Sequence, residues 1–202
     1  MRRINENENP IKKILFLGYD ETQTKLIQTL IRMNCLVEHT EKEIDTISGY
    51  DFVVSYGYRH IIKHNIIEGL GCPIFNLHIS YLPYNRGSHS NFWSFYKNTP
   101  AGVTIHLIDD GIDTGPIVSQ RYVNFRDEDD TFAKTYAVLI KEIENLFLDC
   151  IESLLTDEWI AKEQRGIGSF HYQKDLPSNF SGWNSNIKYE ITRLYKEGLK
   201  YE

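Results

Sequence analysis

The chain has 202 residues, enough for one domain with a sizeable core, and its 41% hydrophobic and 25% charged residues are the proportions of a soluble globular protein. A net charge of −6 argues against a protein whose main task is gripping nucleic acid, which needs a basic surface excess. No run approaches the roughly 20 apolar residues of a membrane helix, "MRRINENENPIKK" lacks the apolar stretch of a signal peptide, and Cys35, Cys72 and Cys150 are widely spaced with no CxxC pair, so the expectation is reduced thiols in a cytoplasmic protein with no membrane partner.

Residues 1–11 are polar and expected to fray. "KKILFLGYD" (12–20) is a short apolar run ending in glycine, the pattern of a buried strand. "ETQTKLIQTLIRMN" (21–34) carries Leu26, Ile27, Leu30 and Ile31 at helical spacing, followed by short strands at "CLVEHT" (35–40) and "YDFVVSYGY" (50–58). A short helix over 60–70, a strand "CPIFNLHIS" (72–80), a helix "SHSNFWSFYKN" (88–98) and strands at 101–109 and 115–125 continue the alternation. The clearest helix follows "RDEDD": Asp130 is its expected cap, and Phe132, Leu139, Ile143, Leu146, Phe147, Ile151 and Leu154 belong to its apolar stripe. The tail from about 157 is irregular, with an aromatic and basic stretch at 165–176, read as a flap over the site or an edge hairpin, and a last amphipathic stretch at 187–199. Strands alternating with helices imply right-handed βαβ units, and ligands of such sheets sit beyond the carboxyl ends of the strands.

One stretch resists a purely structural reading. In "FNLHISYLPYNRG" (75–87), Asn76 and His78 stand two apart at the end of an apolar strand, so both project from the same face. An amide donor beside a group that titrates near neutrality suits an oxyanion stabiliser next to a proton-transfer group. A satisfied core Asn and His would explain "NLH" as well. The second stretch, "VTIHLIDDGIDTGPIV" (103–118), places Asp109, Asp110 and Asp113 among glycine turns directly after a strand, more acids than a plain turn needs.

In this order and spacing, Asn-x-His, a Ser-x-Leu-Pro and Gly loop, a strand with His, then Asp-x-Gly-x-Asp-x-Gly, the chain resembles the formyltransferases that use 10-formyltetrahydrofolate; the likeness is dense over 52–118 and loose over 12–155. The resemblance implies a Rossmann-like α/β fold with a parallel or mixed sheet flanked by helices. It implies a flexible N-terminus at 1–11, a catalytic domain at 12–156 and a short C-terminal extension at 157–202 packed on the same domain. Asn76, His78 and Asp113 fall on the family's catalytic positions; the pterin is expected against Tyr58, Arg59, Ile61, Asp109, Asp110 and Gly111. Asp113 is expected to hold His78 protonated beside the formyl oxygen. No metal is called for: the histidines show no HExxH-type pattern.

The acceptor amine is less constrained. "LGYDETQTK" after the first strand has one glycine and two acids, poor for the phosphate loop of the glycinamide-ribonucleotide enzymes and for a dinucleotide fingerprint. The acidic 202-residue chain offers no long basic C-terminal domain of the kind that accompanies the methionyl-tRNA enzymes. The sugar N-formyltransferases fit best, with a nucleotide-linked amino-dideoxy sugar, expected to be dTDP-linked, against Tyr81, Tyr84, Asn85, Arg86, Gly87, His89, Trp93 and His106. For the aromatics, packing of helix on sheet is the competing reading; Arg86 is the candidate for a pyrophosphate. Other amine acceptors, a non-catalytic folate-binding module and, as the default oligomer, a homodimer stay open.

Overall fold

The computed structural model describes residues 1–69 and 71–198; Leu70, the last residue of the expected 60–70 helix, and residues 199–202, which end the expected C-terminal stretch, lie outside the described residues. Among the described residues, nine strands and five α-helices follow one another as β1 (Arg2–Arg3), β2 (Lys13–Gly18), α1 (Leu26–Arg32), β3 (Leu36–Thr40), β4 (Phe52–Tyr56), α2 (His64–Gly69), β5 (Ile74–His78), β6 (Arg86–Gly87), α3 (Ser90–Tyr96), β7 (Gly102–Leu107), β8 (Ile117–Tyr122), α4 (Phe132–Leu155), β9 (Phe170–His171) and α5 (Ile187–Gly198).

Seven strands form one mixed sheet in the order β1-β3-β2-β4-β5-β7-β8. The β3-β2-β4-β5 block is parallel, with α1 joining β2 to β3 and α2 joining β4 to β5. Strands β7 and β8 run antiparallel to what precedes them, and β1 pairs antiparallel with β3, so the polar first residues carry a ladder rather than a bare tail. Side chains alternate across this sheet. Phe75, Leu77, Val103 and Ile105 face the same core as Leu139, Ile143 and Phe147 of α4. Leu15, Leu17, Val53 and Ile74 face the opposite core with Ile62 and Ile66. By the same alternation Asn76, His78, Thr104 and His106 share the face turned away from α4, and that end of the sheet is covered by loops.

Local polar bonding shifts several boundaries. The first helix begins at Leu26, not near 21, because the Asp20 carboxylate accepts from the Thr22 amide (2.9 Å) and hydroxyl (2.6 Å) and holds a turn there. Helix α4 is capped by Thr131, whose hydroxyl accepts from the Lys134 amide at 3.3 Å. Asp130, the expected cap, instead pairs with the Lys134 ammonium at 2.8 Å. The 165–176 stretch forms no hairpin: β9 adds in parallel to β6, so Phe170–His171 lie beside Arg86–Gly87.

The turn between β7 and β8 is sterically tight. A Cβ at Gly115 would collide with the Leu107 carbonyl oxygen, which is backbone and has nowhere to move. Gly115→Ala is expected to destabilise the fold by about 1–3 kcal/mol through overpacking. A urea midpoint equal to that of the parent protein would refute the close approach.

Candidate active site

Strand β5 supplies Asn76 and His78, and β7 lies across from it in a register that sets His106 opposite Asn76 and Thr104 opposite His78. The turn after β7 leaves at the other end of β5, where Leu107 is opposite Phe75, and folds back far enough for Asp113 to reach both polar side chains. Asp113 adopts a left-handed conformation (φ 54°), uncommon for a residue with a side chain and a small cost in local strain. Its Oδ1 lies 3.3 Å from Asn76 Nδ2 and 3.5 Å from His106 Nε2; its Oδ2 lies 3.6 Å from His78 Nε2 and accepts from the Gly87 amide at 2.8 Å. Asp113, joined to Asn76 and His78 in the sequence only by resemblance, therefore meets them in one place.

Hydrogen bonding settles the roles of the two imidazoles differently. His106 is 1% exposed, and its Nδ1 donates to the Leu107 carbonyl at 2.8 Å. Its Nε2 is then the acceptor for Asn76 Nδ2 at 3.0 Å. His106 thus stands behind Asn76 and Asp113, buried, not on a substrate-facing wall as the sequence suggested. His78 Nε2 is buried with no hydrogen-bond partner among the described residues. Burial pushes the His78 pKa below the ordinary histidine value, and His106 adds to this, against the pull of Asp113. Burial thus works against the expected protonated form of His78. Burial opposes the charge of Asp113 too, but His78, His106 and the Gly87 amide outweigh it and hold the carboxyl well below the usual range.

The loop between β5 and β6 is fixed from outside. Thr104 donates to the Ser80 carbonyl and Gln120 to the Leu82 carbonyl, each at 2.6 Å. Asn85 is fully buried and left-handed (φ 53°); its amide donates to Thr99 at 2.8 Å and its oxygen accepts from Ser169, which makes it a brace for the loop, not a substrate contact. Trp93 is 5% exposed and stacks on His171 at 4.0 Å, so helix-to-sheet packing accounts for it. Tyr81 stacks on Tyr122 at 3.6 Å; Tyr84, Gly87 and His89 remain half-buried around the loop, His89 with its ring 5.3 Å from Trp183. Arg86 is half-buried and has no carboxylate within 4.0 Å among the described residues; its Nε and Nη2 donate to Gln164 Oε1 at 3.1 and 2.6 Å.

The residues expected around a pterin lie on two loops, 57–62 and 108–113. Tyr58 and Ile108 pack on the same core cluster, and Asp110 bonds His64 of α2, which brings the 57–62 and 108–113 loops together. Asp109 is turned inward, accepting from Thr114 (2.6 Å) and the Gly111 amide (3.1 Å). Ile61 (77%) and Ile112 (44%) are left exposed, with the Arg59 side chain also in solvent. Gln164 was absent from the sequence reading. It lies in the irregular tail, has no motif around it, and is found only because its amide reaches Asp113.

A family model described as "Formyl transferase" matches residues 32–150. A dTDP-4-amino-4,6-dideoxyglucose formyltransferase of Mycobacterium tuberculosis is 30% identical over 136 residues, covering 67% of this chain and 57% of that protein, so the chain spans little more than half the length of such curated relatives. The crystal structure of the formyltransferase PseJ from Anoxybacillus kamchatkensis, in complex with UDP-4,6-dideoxy-4-formamido-L-AltNAc and tetrahydrofolate, superposes with a TM-score of 0.79 at 38% identity and covers 87% of this chain and 96% of its own. A 4-N formyltransferase from Francisella tularensis shares the fold (TM-score 0.70) at 20% identity, over 83% of this chain and 78% of its own. With the family model spanning more than half its length and PseJ matched almost end to end, this chain belongs to the formyl transferase family.

Proposed function

We propose that this protein moves a formyl group from 10-formyltetrahydrofolate to the 4-amine of a nucleotide-linked 4-amino-4,6-dideoxy sugar. The observation that carries the reading is the convergence of Asn76 and His78 on Asp113, each with a polar atom within 3.6 Å of its carboxylate, in a chain so like PseJ. Two of the relatives at 30% identity or more, PseJ by the sugar nucleotide in its complex and the mycobacterial protein by its name, point to a 4-nitrogen on a 4,6-dideoxy sugar. The PseJ match is higher and nearly full length, which favours UDP as the first nucleotide to test, with dTDP second. Residues 12–156 would form the catalytic domain and the stretch from 157 an extension that completes the site. The three cysteines are free thiols, in keeping with a cytoplasmic protein.

The apolar rim left by Ile61 and Ile112 and the unpartnered His78 nitrogen suit a flat heteroaromatic co-substrate with a reacting group at one end. 10-Formyltetrahydrofolate supplies the formyl carbon on its N10. Asn76 stabilises the formyl oxygen as it turns negative, using the amide hydrogen that otherwise makes the long 3.3 Å contact to Asp113. Neutral His78 takes a proton from the attacking amine and delivers it toward the leaving nitrogen. Asp113 orients His78 and stabilises it while charged. Arg86, with no carboxylate of its own, pairs with the diphosphate.

Formyl transfer assayed with UDP- and dTDP-linked 4-amino-4,6-dideoxy sugars, glycinamide ribonucleotide and methionyl-tRNA is expected to show turnover on a UDP-linked amino sugar. Turnover only on a non-sugar acceptor would overturn the substrate assignment. Asn76→Ala and His78→Ala are each expected to lower kcat about 10²–10³-fold, with folate still bound; activity within twofold of the parent would sink the site assignment. Because burial depresses the His78 pKa, the base is active above the ordinary histidine value and lost only as pH falls through the depressed value. The kcat profile should therefore stay flat from neutral pH through about 6.5 and fall only at more acidic pH. A profile that rises on acidification would contradict a neutral His78.

A further inference from the structure

We propose that Gln164 is a positioning residue that ties the Arg86 guanidinium to the Asp113 turn, so that the anion-binding side chain and the buried carboxylate share one support. This rests on the roles given above to Arg86 and Asp113.

The side chain of Gln164 is fully engaged. Its Nε2 donates to the carbonyls of Asp113 and Gly115, both at 2.8 Å, and its Oε1 accepts from Arg86 Nε and Nη2. Only a primary amide of this length offers two donors on one end and an acceptor on the other. The donor end grips the two carbonyls flanking Thr114, where the chain must hold the left-handed Asp113. The acceptor end fixes the Nε/Nη2 edge of the guanidinium and leaves its Nη1 hydrogens unclaimed by Gln164. A carboxylate in place of this amide would neutralise Arg86 and set an anionic oxygen against two carbonyls. Gln164 itself is anchored on both sides. Lys162 and Ile117 exchange backbone bonds at 2.7 and 2.9 Å, and Ser169 accepts from the Arg86 amide at 2.9 Å. The segment 162–171 therefore bridges the Asp113 turn and the loop that carries Arg86 and Gly87, and Gln164 is where side chains cross that bridge.

The substrate-free protein contains its own reporter. The Gly87 amide donates to Asp113 Oδ2, whereas the adjoining Arg86 and Ser88 amides donate to the backbone of Ser169 and His171. Amide exchange measured by NMR on Gln164→Met, which keeps the volume and loses the hydrogen bonds, is expected to speed up about tenfold at Gly87 while Arg86 and Ser88 stay protected. In steady state the same variant is expected to lower kcat about tenfold and raise the KM of the nucleotide sugar, with the folate KM unchanged; Arg86→Met should raise the nucleotide-sugar KM alone. Unchanged Gly87 exchange would overturn the proposal. So would loss of protection at all three amides, which would make Gln164 a strut for the segment and nothing more. If the parent protein turned over no amino sugar, the substrate reading would fall, and Gly87 exchange would still decide whether Gln164 positions Asp113.

Discussion

A single buried negative charge organises this end of the molecule. The Asp113 carboxylate has side-chain exposure of 12% and sits against the half-buried Asn76 and His78 and the buried His106. An isolated carboxylate in such a place would take up a proton; the groups around it prevent that. They come from different parts of the chain: Asn76 and His78 from β5, His106 from β7, the Gly87 amide from the loop before α3. Remove the loop, the hairpin or the strand register and the charge loses its compensation. The stability of the site elements and the state of the carboxylate are thus one problem, and the left-handed backbone at Asp113 is tolerated because the surroundings over-determine it.

The sheet separates packing from chemistry by strand period alone. Phe75 and Leu77 point into the core that α4 closes; Asn76 and His78, one residue out of phase, point the other way. Strand β7 repeats the division with Val103 and Ile105 against Thr104 and His106. A slip of one residue in the β5–β7 register would bury two polar side chains under α4 and expose two apolar ones, so the core itself enforces the geometry of the site.

This division is the reason Asn76 and His78 were legible in the sequence: a two-residue spacing on an apolar strand is local information. Asp113 was legible only through resemblance to a family, because its turn leaves the far end of β5 and returns through space. The long α4 helix and most strands followed from apolar runs and glycine breaks, while a mixed sheet entered only through the family resemblance. What failed depended on burial or on competing polar bonds. Trp93 and Asn85 looked like ligand contacts because aromatic and amide side chains suit that use, yet both point into packed interior. Thr131 displaced Asp130 as the cap of α4 because Asp130 found a lysine. Gln164 carried no signal at all: a glutamine in an irregular tail looks like any other until the fold brings it to Asp113.

The protonation states argue for when the Asp113 charge matters most. With the charged form of His78 disfavoured by burial and Asp113 ionised, the site carries a negative charge before any reaction. On the proposed mechanism, that charge draws the amine of the substrate in, though an amine attacks only after losing its extra proton. His78 gains a proton as the reaction proceeds and becomes an imidazolium 3.6 Å from Asp113. In a buried setting an opposite charge at that distance stabilises the imidazolium far more than it would in water. Burial disfavours the charged His78 at rest, and the carboxylate favours it once the proton is transferred. Asp113 therefore acts less on the resting enzyme than on the charge that the reaction itself creates.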